Sequence, residues 1–413
     1  MPDNTSITIK DGTVGIAGSA FPNGLTAIDI PNSVTNIGDN AFFNCSGLTT
    51  ITIPNSVTSI GVDAFYGTGW YDNQPDGLVY AGKVAYKYKG TMPDNTSITI
   101  EDGTVGITES AFSGCSGLTS ITIPNGVTSI ERSTFQYCEN LTSVEIPNSV
   151  TSIGFYAFSY SGLTSITIPS SMMSIGLEAF EGCSSLMSVS IPNANIGQSA
   201  FRECTSLMSV IIGNGVTYIG RTAFCLCENL SSVTIGSGIK KIDVSAFTGN
   251  YNLSDVYCMA VNVPSTDRNA FNYHEQITLH VPASAIDAYK TTVPWSEFGE
   301  FKTLSGEAGE PKKCATPTIS FENGEILFSC ETEGVEFVSN ITAADAKTYY
   351  DERLKPTYKY TVKVYATKAG FYNSETAKAE FTATGVFGDL NGDGKVNVAD
   401  HVKLTEIIMS EGE

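Results

Sequence analysis

The chain has 413 residues, of which 41% are hydrophobic, so it is long enough to bury a large core in several structural units. Its formal net charge of −20 disfavours nucleic acid and anionic membranes as partners, because both are negatively charged. No run of apolar residues is long enough to cross a bilayer, so the sequence predicts no membrane span.

The first residues of the chain recur later in the sequence. Residues 1–21 read MPDNTSITIKDGTVGIAGSAF, and residues 92–112 read MPDNTSITIEDGTVGITESAF. No signal peptide is present at this start, since Met1 is followed by polar residues rather than by a basic region and an apolar core. We therefore expect that the chain begins partway through a repeating module, with a leader and earlier repeats removed or excised.

One motif recurs along residues 1–304. In one copy, Ile121 and Ile123 alternate as in a short strand with one buried face, and Val127 and Phe135 then bury a second segment and a turn. The first leucine of the motif recurs, mostly at intervals of 21 to 23 residues, at Leu25, Leu48, Leu118, Leu141, Leu163, Leu186, Leu207, Leu230 and Leu253. No single copy can enclose a core, so the pattern predicts a mainly β solenoid with repeats of about 23 residues.

Two regions depart from this repeat. Residues 69–91 interrupt it, and the alternating apolar residues on either side of Gly82 predict a hairpin insert. We interpret its aromatic residues, such as Trp70 and Tyr86, as packing the hairpin down rather than as a binding surface. Residues 254–304 contain a last strand and a short helix, which predict a cap over the strand edges at the end of the solenoid.

Six cysteines occupy one position of the repeat, three residues after its phenylalanine. They are Cys45, Cys115, Cys138, Cys183, Cys204 and Cys227. Other copies have Thr68, Ser161 or Asn250 there, which indicates a small side chain that hydrogen-bonds a neighbouring turn. We therefore predict buried thiols at this position, rather than disulfides, metal ligands or nucleophiles. Cys314 and Cys330 flank a predicted hairpin, and the sequence leaves a disulfide between them open.

The repeat pattern ends at about residue 304, and the composition of the sequence changes after it. Residues 305–313 are polar and contain glycine and proline, which indicates a linker. Residues 314–385 contain short alternating strands, with a tight-turn signal at Asn323 and Gly324, and predict a small immunoglobulin-like β-sandwich. Residues 386–413 end the chain with a polar loop followed by a short helical pattern.

The sequence supports no enzymatic site. Its three histidines, His274, His280 and His401, are too scattered to predict a metal centre or a catalytic triad. The chain also lacks the zinc-protease, nucleophile-elbow, phosphate-loop and dinucleotide motifs. We therefore expect that the protein is not an enzyme and that it has no catalytic residue.

The final segment contains one motif with definite chemistry. Its oxygen-bearing residues have the spacing of a calcium-binding loop, in which Gly394 allows a sharp turn and the carbonyl of Lys395 is a ligand. The predicted ligands are Asp389, Asn391, Asp393, Lys395, Asn397 and Asp400. The apolar residues that follow, such as Leu404 and Ile408, predict a helix after the loop. Ca2+ is the one cofactor that the sequence predicts.

The repeat unit, L-x-x-I-x-I-P-x-x-V-x-x-I-G-x-x-A-F-x-x-C, resembles the BspA-type (Treponema-type) leucine-rich repeat of bacterial surface proteins. The resemblance covers about residues 1–304 and implies a secreted or cell-surface protein that functions in adhesion. The calcium loop, with Asp400 rather than glutamate at its twelfth position, resembles half of a dockerin module. That second resemblance implies a cohesin-like partner for the tail, although Val398 and Ala399 stand where dockerins have partner-contacting residues.

The variable turn positions contain the candidates for partner binding. Tyr137, Phe155, Tyr156 and Tyr160 fall in adjacent repeats at similar positions, so we predict that they form one exposed aromatic cluster. Clustered exposed aromatic residues are typical anchors of protein interfaces. The alternative is that some of them pack between the turns of the solenoid.

Two functions remain open on this basis. The first is a non-enzymatic binding protein, secreted or on the cell surface, that presents an extended repeat surface to an extracellular protein or glycan. The alternative is a structural component of a calcium-dependent extracellular assembly, which docks through its dockerin-like tail. The sequence favours the first, because the repeats make up most of the chain.

Overall fold

The computed structural model describes residues 5–304, 314–322, 325–333, 335–344, 357–367 and 377–384. The chain divides into two compact units, Met1–Glu310 and Pro311–Glu413, which are described separately below. The first unit is a mainly β solenoid of about 13 turns with a spacing near 23 residues, and the predicted fold of the repeats is therefore confirmed.

Most turns of the solenoid contribute a first strand to the parallel ladders along one side. The alternating pattern of the sequence places one face of this ladder in the core, and Val189, Val210, Val233 and Val256 lie in register on that face. The first strands are Thr5–Thr8, Leu25–Asp29, Thr96–Thr99, Leu118–Thr122, Ser143–Glu145, Ile166–Thr167, Ser188–Ile191, Ser209–Ile212, Ser232–Ile235, Asp255–Cys258, Thr278–Val281 and Glu300–Thr303.

A second parallel ladder is built from two-residue strands. One isoleucine from most of these strands points into the core, as Ile153, Ile175 and Ile196 do in consecutive turns. The second strands are Gly15–Ile16, Asn36–Ile37, Ser59–Ile60, Gly106–Ile107, Ser129–Ile130, Ser152–Ile153, Ser174–Ile175, Asn195–Ile196, Tyr218–Ile219, Lys241–Ile242 and Ser265–Thr266. The two ladders enclose the core from two sides.

The third side of the core is a column of stacked phenylalanine rings, one from each tight turn. Neighbouring rings are nearly parallel, with centroids 4.9 to 5.4 Å apart, which is the offset-stacked arrangement that aromatic quadrupoles favour. The column consists of Phe112, Phe135, Phe158, Phe180, Phe201, Phe224, Phe247 and Phe271, and a shorter column contains Phe21, Phe42 and Phe65. We call each of these residues the core phenylalanine of its turn.

The cysteine ladder has the predicted role. The Sγ atoms of Cys138, Cys183, Cys204 and Cys227 each donate to the carbonyl oxygen of the core phenylalanine one turn earlier, at 3.0 to 3.3 Å. Asn250 makes the same contact through its Nδ2 atom. Burial raises the pKa of these thiols, which keeps the donating proton in place. Cys115 is only half-buried, unlike the other five members.

A hairpin follows the third turn and is itself part of the solenoid. A short helix, Gly69–Asp72, leads into antiparallel strands Gly77–Ala81 and Val84–Lys89. The second of these strands also pairs in parallel with Gly106–Ile107, so it forms one step of the second ladder. Tyr86 is buried there with its ring edge-on to Phe65, which explains why the phenylalanine column is interrupted at this point.

The last residues of the solenoid cover its core. A helix, Ile286–Thr291, and two 3-10 turns, His274–Gln276 and Trp295–Glu297, lie between the final strands. The ring of Trp295 is buried 5.7 Å from the last core phenylalanine, and its Nε1 atom donates to the carbonyl of Pro264 at 3.3 Å. This tryptophan closes the end of the aromatic column.

The second unit contains two antiparallel sheets among its described residues. Strands Thr318–Glu322 and Glu325–Ser329 form a hairpin, and Glu336–Ala344, Thr357–Thr367 and Ala377–Thr384 form a three-stranded sheet. The Sγ atom of Cys330 donates to the carbonyl of Ala315 at 3.1 Å, so this cysteine is a thiol and is not bridged to Cys314. The predicted calcium loop lies outside the described residues.

Candidate functional site

The position two residues after the core phenylalanine has a positive φ in every turn from that of Phe42 to that of Phe271. We call it the left-handed position. Its φ values range from 55° to 86°, and it is occupied by Asn44, Gly67, Gly114, Tyr137, Tyr160, Gly182, Glu203, Leu226, Gly249 and Tyr273. Glycine and asparagine are the residues that adopt this conformation most readily.

Half of these positions hold residues that do not favour a positive φ. A left-handed backbone costs roughly 1–2 kcal/mol for a residue with an ordinary side chain. Tyr137, Tyr160, Glu203, Leu226 and Tyr273 therefore place their side chains at the edge of the solenoid against a local backbone preference. Residues held in such conformations concentrate at functional sites, which makes this edge the candidate binding surface.

Two of these residues form an exposed stacked pair. The rings of Tyr137 and Tyr160 lie in consecutive turns with centroids 5.5 Å apart and planes inclined by 13°. Their relative exposures are 48% and 40%, whereas the phenylalanine column a few residues away is fully buried. The backbone N–H groups of both residues donate to carbonyl oxygens of the following turn, at 2.9 and 2.7 Å. We call these two residues the tyrosine pair.

The other two predicted partner-binding residues are near this pair in sequence but are not stacked on it. Phe155 is 54% exposed, and Tyr156 is half-buried at a second position of positive φ, with a φ of 59°. The negative charge of Glu178 is the main cause that raises the pKa of Tyr156, followed by burial. Within the described turns, no ring contact joins either residue to the tyrosine pair, so the structure brings together two of the four.

A groove lies on the side of Tyr160 that faces away from Tyr137. It exists because the next left-handed position is Gly182, where a Cβ atom would clash with the tyrosine ring. A space of about 430 Å3 lies beside this glycine and extends along the following turns. The groove is lined by Tyr160, Gly182, Ser184, Glu203, Thr205, Leu226 and Glu228.

The electrostatics of the groove are dominated by carboxyl groups. Arg202 contacts Glu181 at 3.1 Å and Glu203 at 2.7 Å, so its guanidinium is shared between two carboxyl groups. Burial raises the pKa of Glu181 to about 7, and its hydrogen bond to Glu178 and the charge of that residue act in the same direction. Glu228 is exposed and makes no ion pair with any described residue.

Two further exposed aromatic pairs lie at corresponding turns and were missed by the sequence analysis. Phe43 and Tyr66 each follow a core phenylalanine directly and stack at 5.6 Å. Tyr251 and Tyr273 lie 5.7 Å apart near the end of the solenoid, with planes inclined by 48°. Phe43 and Tyr66 occupy the same position of consecutive repeats, and this was the signal in the sequence that could have revealed their pair.

The histidines of the first unit are bound by carboxylates. The Nε2 atom of His280 lies 2.8 Å from Oδ1 of Asp255, and the imidazole stacks on Tyr257 with centroids 4.2 Å apart. His274 lies 3.3 Å from Glu297. Among the described residues, no group of three or more His, Cys, Asp or Glu side chains could hold a metal ion. The predicted calcium ligands belong to the part of the chain that is not described.

The repeat sequence and the solenoid define a leucine-rich-repeat protein. The BspA type leucine rich repeat region matches the chain in six copies, over residues 3–73, 84–195 and 188–290. The chain therefore belongs to the BspA-type leucine-rich-repeat family. Within the described residues, none of the helices has the length and apolar character that a membrane crossing requires.

Several solved bacterial structures are similar to parts of this chain. A leucine-rich repeat protein from Bacteroides ovatus is 27% identical, with a TM-score of 0.39, over 73% of this chain and 84% of that one. A leucine-rich cell surface protein from Faecalibacterium prausnitzii is 25% identical, with a TM-score of 0.32, over 73% and 88%. The leucine-rich repeat protein of T. pallidum is 25% identical, with a TM-score of 0.35, over 43% and 87%. Comparison with curated proteins gives no match.

Proposed function

We propose that this protein is a non-enzymatic binding protein, secreted or on the bacterial cell surface, that functions in adhesion. It presents the edge of the solenoid that contains the tyrosine pair to an extracellular protein or glycan. The observation that supports this most directly is that two exposed aromatic side chains stack on each other at positions where the backbone favours glycine. Membership of the BspA-type repeat family supports the same proposal.

The energetics of the pair favour a role outside the fold. Each tyrosine costs roughly 1–2 kcal/mol in backbone conformation relative to glycine. Their mutual stacking contributes only about 0.5–1.5 kcal/mol. The fold therefore gains little or nothing from having Tyr137 and Tyr160 in place of glycine. A rigid, half-exposed aromatic surface is, in contrast, a typical energetic centre of a protein interface.

The test is a binding screen of the full chain against immobilised extracellular proteins and glycans, with calcium and with a chelator. The double variant Tyr137→Ala/Tyr160→Ala should lose the interaction. The matched control is Phe43→Ala/Tyr66→Ala, which removes an exposed stacked pair that lies outside the left-handed positions. Equal loss in both variants, or no loss in the first, would contradict the proposal.

A second candidate function concerns the tail. We propose that Asp389, Asn391, Asp393, Lys395, Asn397 and Asp400 bind Ca2+ and that the dockerin-like tail contacts a cohesin-like partner. The spacing of the oxygen donors in the sequence supports the calcium site. If the tail rather than the solenoid recruits the partner, capture in the same screen will require calcium and will be lost in Asp389→Ala/Asp393→Ala.

We also propose that residues 314–385 form an immunoglobulin-like sandwich. The two antiparallel sheets of this unit support the proposal, because their rings Phe328 and Phe337 contact each other with centroids 5.8 Å apart. Alternate residues of the central strand, Val362 and Val364, are buried, as expected for a sheet with one covered face.

A further inference from the structure

The groove beside Tyr160 has one aromatic wall that is held rigidly in place. Its ring is packed against Tyr137 on one side and covers the Cα atom of Gly182 below. The remaining ring surface faces the groove and is solvent-accessible. An aromatic face fixed in this way attracts a flat cation, because the π system is negative above the ring.

The lining of the groove also carries negative charge. Glu203 and Glu228 are both lining residues, and none of the seven lining residues is cationic. Arg202 neutralises Glu203 only in part, since the same guanidinium also contacts Glu181. Glu228 has no cationic partner within the described residues. A ligand that enters this space therefore meets uncompensated negative charge.

The other lining residues can accept hydrogen bonds from a ligand and contact its apolar part. Ser184 and Thr205, which also line the groove, each carry a hydroxyl group that can accept a hydrogen bond. Leu226 adds an apolar surface for the methylene groups of a long side chain. The groove thus combines an aromatic face, two acceptor carboxylates and an apolar strip.

We propose that this groove binds the guanidinium of an arginine side chain presented by a partner protein. The guanidinium plane stacks on Tyr160, and its N–H groups donate to the carboxylates of Glu203 and Glu228. Arginine is favoured over lysine because its planar, delocalised cation stacks on an aromatic ring and donates to two acceptors at once. The proposal rests on the binding function proposed above and specifies the chemistry of the partner.

The test measures the binding of three blocked amino acids to the full chain by ligand-detected NMR titration. They are the N-acetyl, N-methylamide derivatives of arginine, lysine and citrulline, the last being a neutral analogue of arginine. The arginine probe should bind with the highest affinity and the citrulline probe should not bind detectably. Replacing Tyr160 by alanine should weaken arginine binding by about threefold to fivefold, as expected for one cation–π contact at an exposed site.

Two matched variants separate the groove from the general negative charge of the chain. Glu228→Gln should weaken arginine binding, whereas Glu139→Gln should not. Glu139 lies four residues after its core phenylalanine, as Glu228 does, but it does not line the groove.

Equal affinity for arginine and citrulline, or equal effects of the two glutamate variants, would overturn the proposal. The outcome is distinguishable from failure of the proposed function. If a partner found in the screen requires the tyrosine pair but is unaffected by Glu228→Gln, then the arginine groove is wrong and the binding surface stands. If arginine binds in the groove but no partner depends on the pair, the proposed function fails instead.

Discussion

Substitution of Cys204 by threonine or by valine isolates the hydrogen bond that the cysteine ladder contributes. The thiol is fully buried, and its Sγ atom donates to the carbonyl oxygen of Phe180 at 3.3 Å. Threonine retains a donor at this point and valine does not, although the two side chains have nearly the same shape. The steric cost of enlarging a buried side chain, about 1–3 kcal/mol, is therefore common to both variants.

The magnitude of the difference follows from the partners of that carbonyl. It also accepts the N–H of Cys183 at 3.2 Å, so removal of the thiol leaves it with one hydrogen bond rather than with none. We therefore expect the threonine variant to be more stable than the valine variant by about 1 kcal/mol, the net contribution of a single hydrogen bond.

The assay is urea unfolding followed by tryptophan fluorescence, since Trp295 is buried at the end of the aromatic column. The same two substitutions at Cys225, which is half-buried and one residue after a core phenylalanine, form the control and should not differ. Equal stabilities of the threonine and valine variants at Cys204, or a more stable valine variant, would refute the role assigned to the ladder.

Three further predictions concern the core, the buried carboxyl group and the tail. Phe201→Ala should destabilise the solenoid by about 3–5 kcal/mol in the same unfolding assay, because it removes a fully buried ring from the column. Phe155→Ala, which removes an exposed ring, should cost about 0.5 kcal/mol or less. The pKa of Glu181 is raised from 4.5 to about 7, so this residue contributes stability that is fully present below pH 4.5 and is lost as the pH rises through about 7. The free energy of unfolding, measured at several pH values, should therefore decline by up to roughly 3 kcal/mol over this range. The decline should be absent in Glu181→Gln. Calorimetric titration with Ca2+ should detect one site in the full chain and none in Asp389→Ala/Asp393→Ala, if the predicted loop is functional.

Each of these predictions can fail independently. Similar losses for the two phenylalanine variants would mean that the column does not stabilise the solenoid. If the free energy of unfolding does not change with pH in the wild-type chain, or changes equally in Glu181→Gln, then the carboxyl group of Glu181 does not cause the predicted pH dependence. Calcium binding that survives the double aspartate substitution would place the ion at another site.

The repeat period and the buried positions could be predicted because they depend on hydrophobic pattern alone. The same is true of the cysteine ladder, because the sequence shows which other residues replace cysteine at its position. Thr68, Ser161 and Asn250 share a small size and hydrogen-bonding capacity, and Asn250 makes the contact to the preceding turn that the thiols make. The comparison of copies within one chain therefore predicted both burial and chemistry.

The binding edge was predicted only in part, because its geometry depends on backbone conformation and on the neighbouring turn. A positive φ leaves no mark in a hydrophobic pattern, so Tyr137 was predicted only from its place among the variable turn residues, and Tyr273 was not predicted. The groove arises from Gly182 between two larger residues, and this combination of adjacent turns is visible only after the copies are aligned on the core phenylalanine. The burial of Glu181 likewise depends on its contact with Arg202 one turn later.

The hydrophobic pattern also did not predict that the hairpin forms part of the solenoid. Alternating apolar residues indicate two antiparallel strands, but they do not show that Val84–Lys89 also pairs in parallel with Gly106–Ile107. Tyr86 of that strand is buried and lies edge-on to Phe65, where a regular turn would place a stacked phenylalanine. Long-range contacts of this kind override the local pattern.

The measurement that tests the central claim most directly is the affinity of a partner from the binding screen for three forms of the full chain. They are the wild type, the tyrosine-pair variant Tyr137→Ala/Tyr160→Ala and the control variant Phe43→Ala/Tyr66→Ala, each in chelator. The account predicts that the first variant weakens binding by at least about tenfold, as expected for loss of an aromatic anchor, while the control retains wild-type affinity. Unchanged affinity in the tyrosine-pair variant, or binding that disappears in chelator, would contradict it.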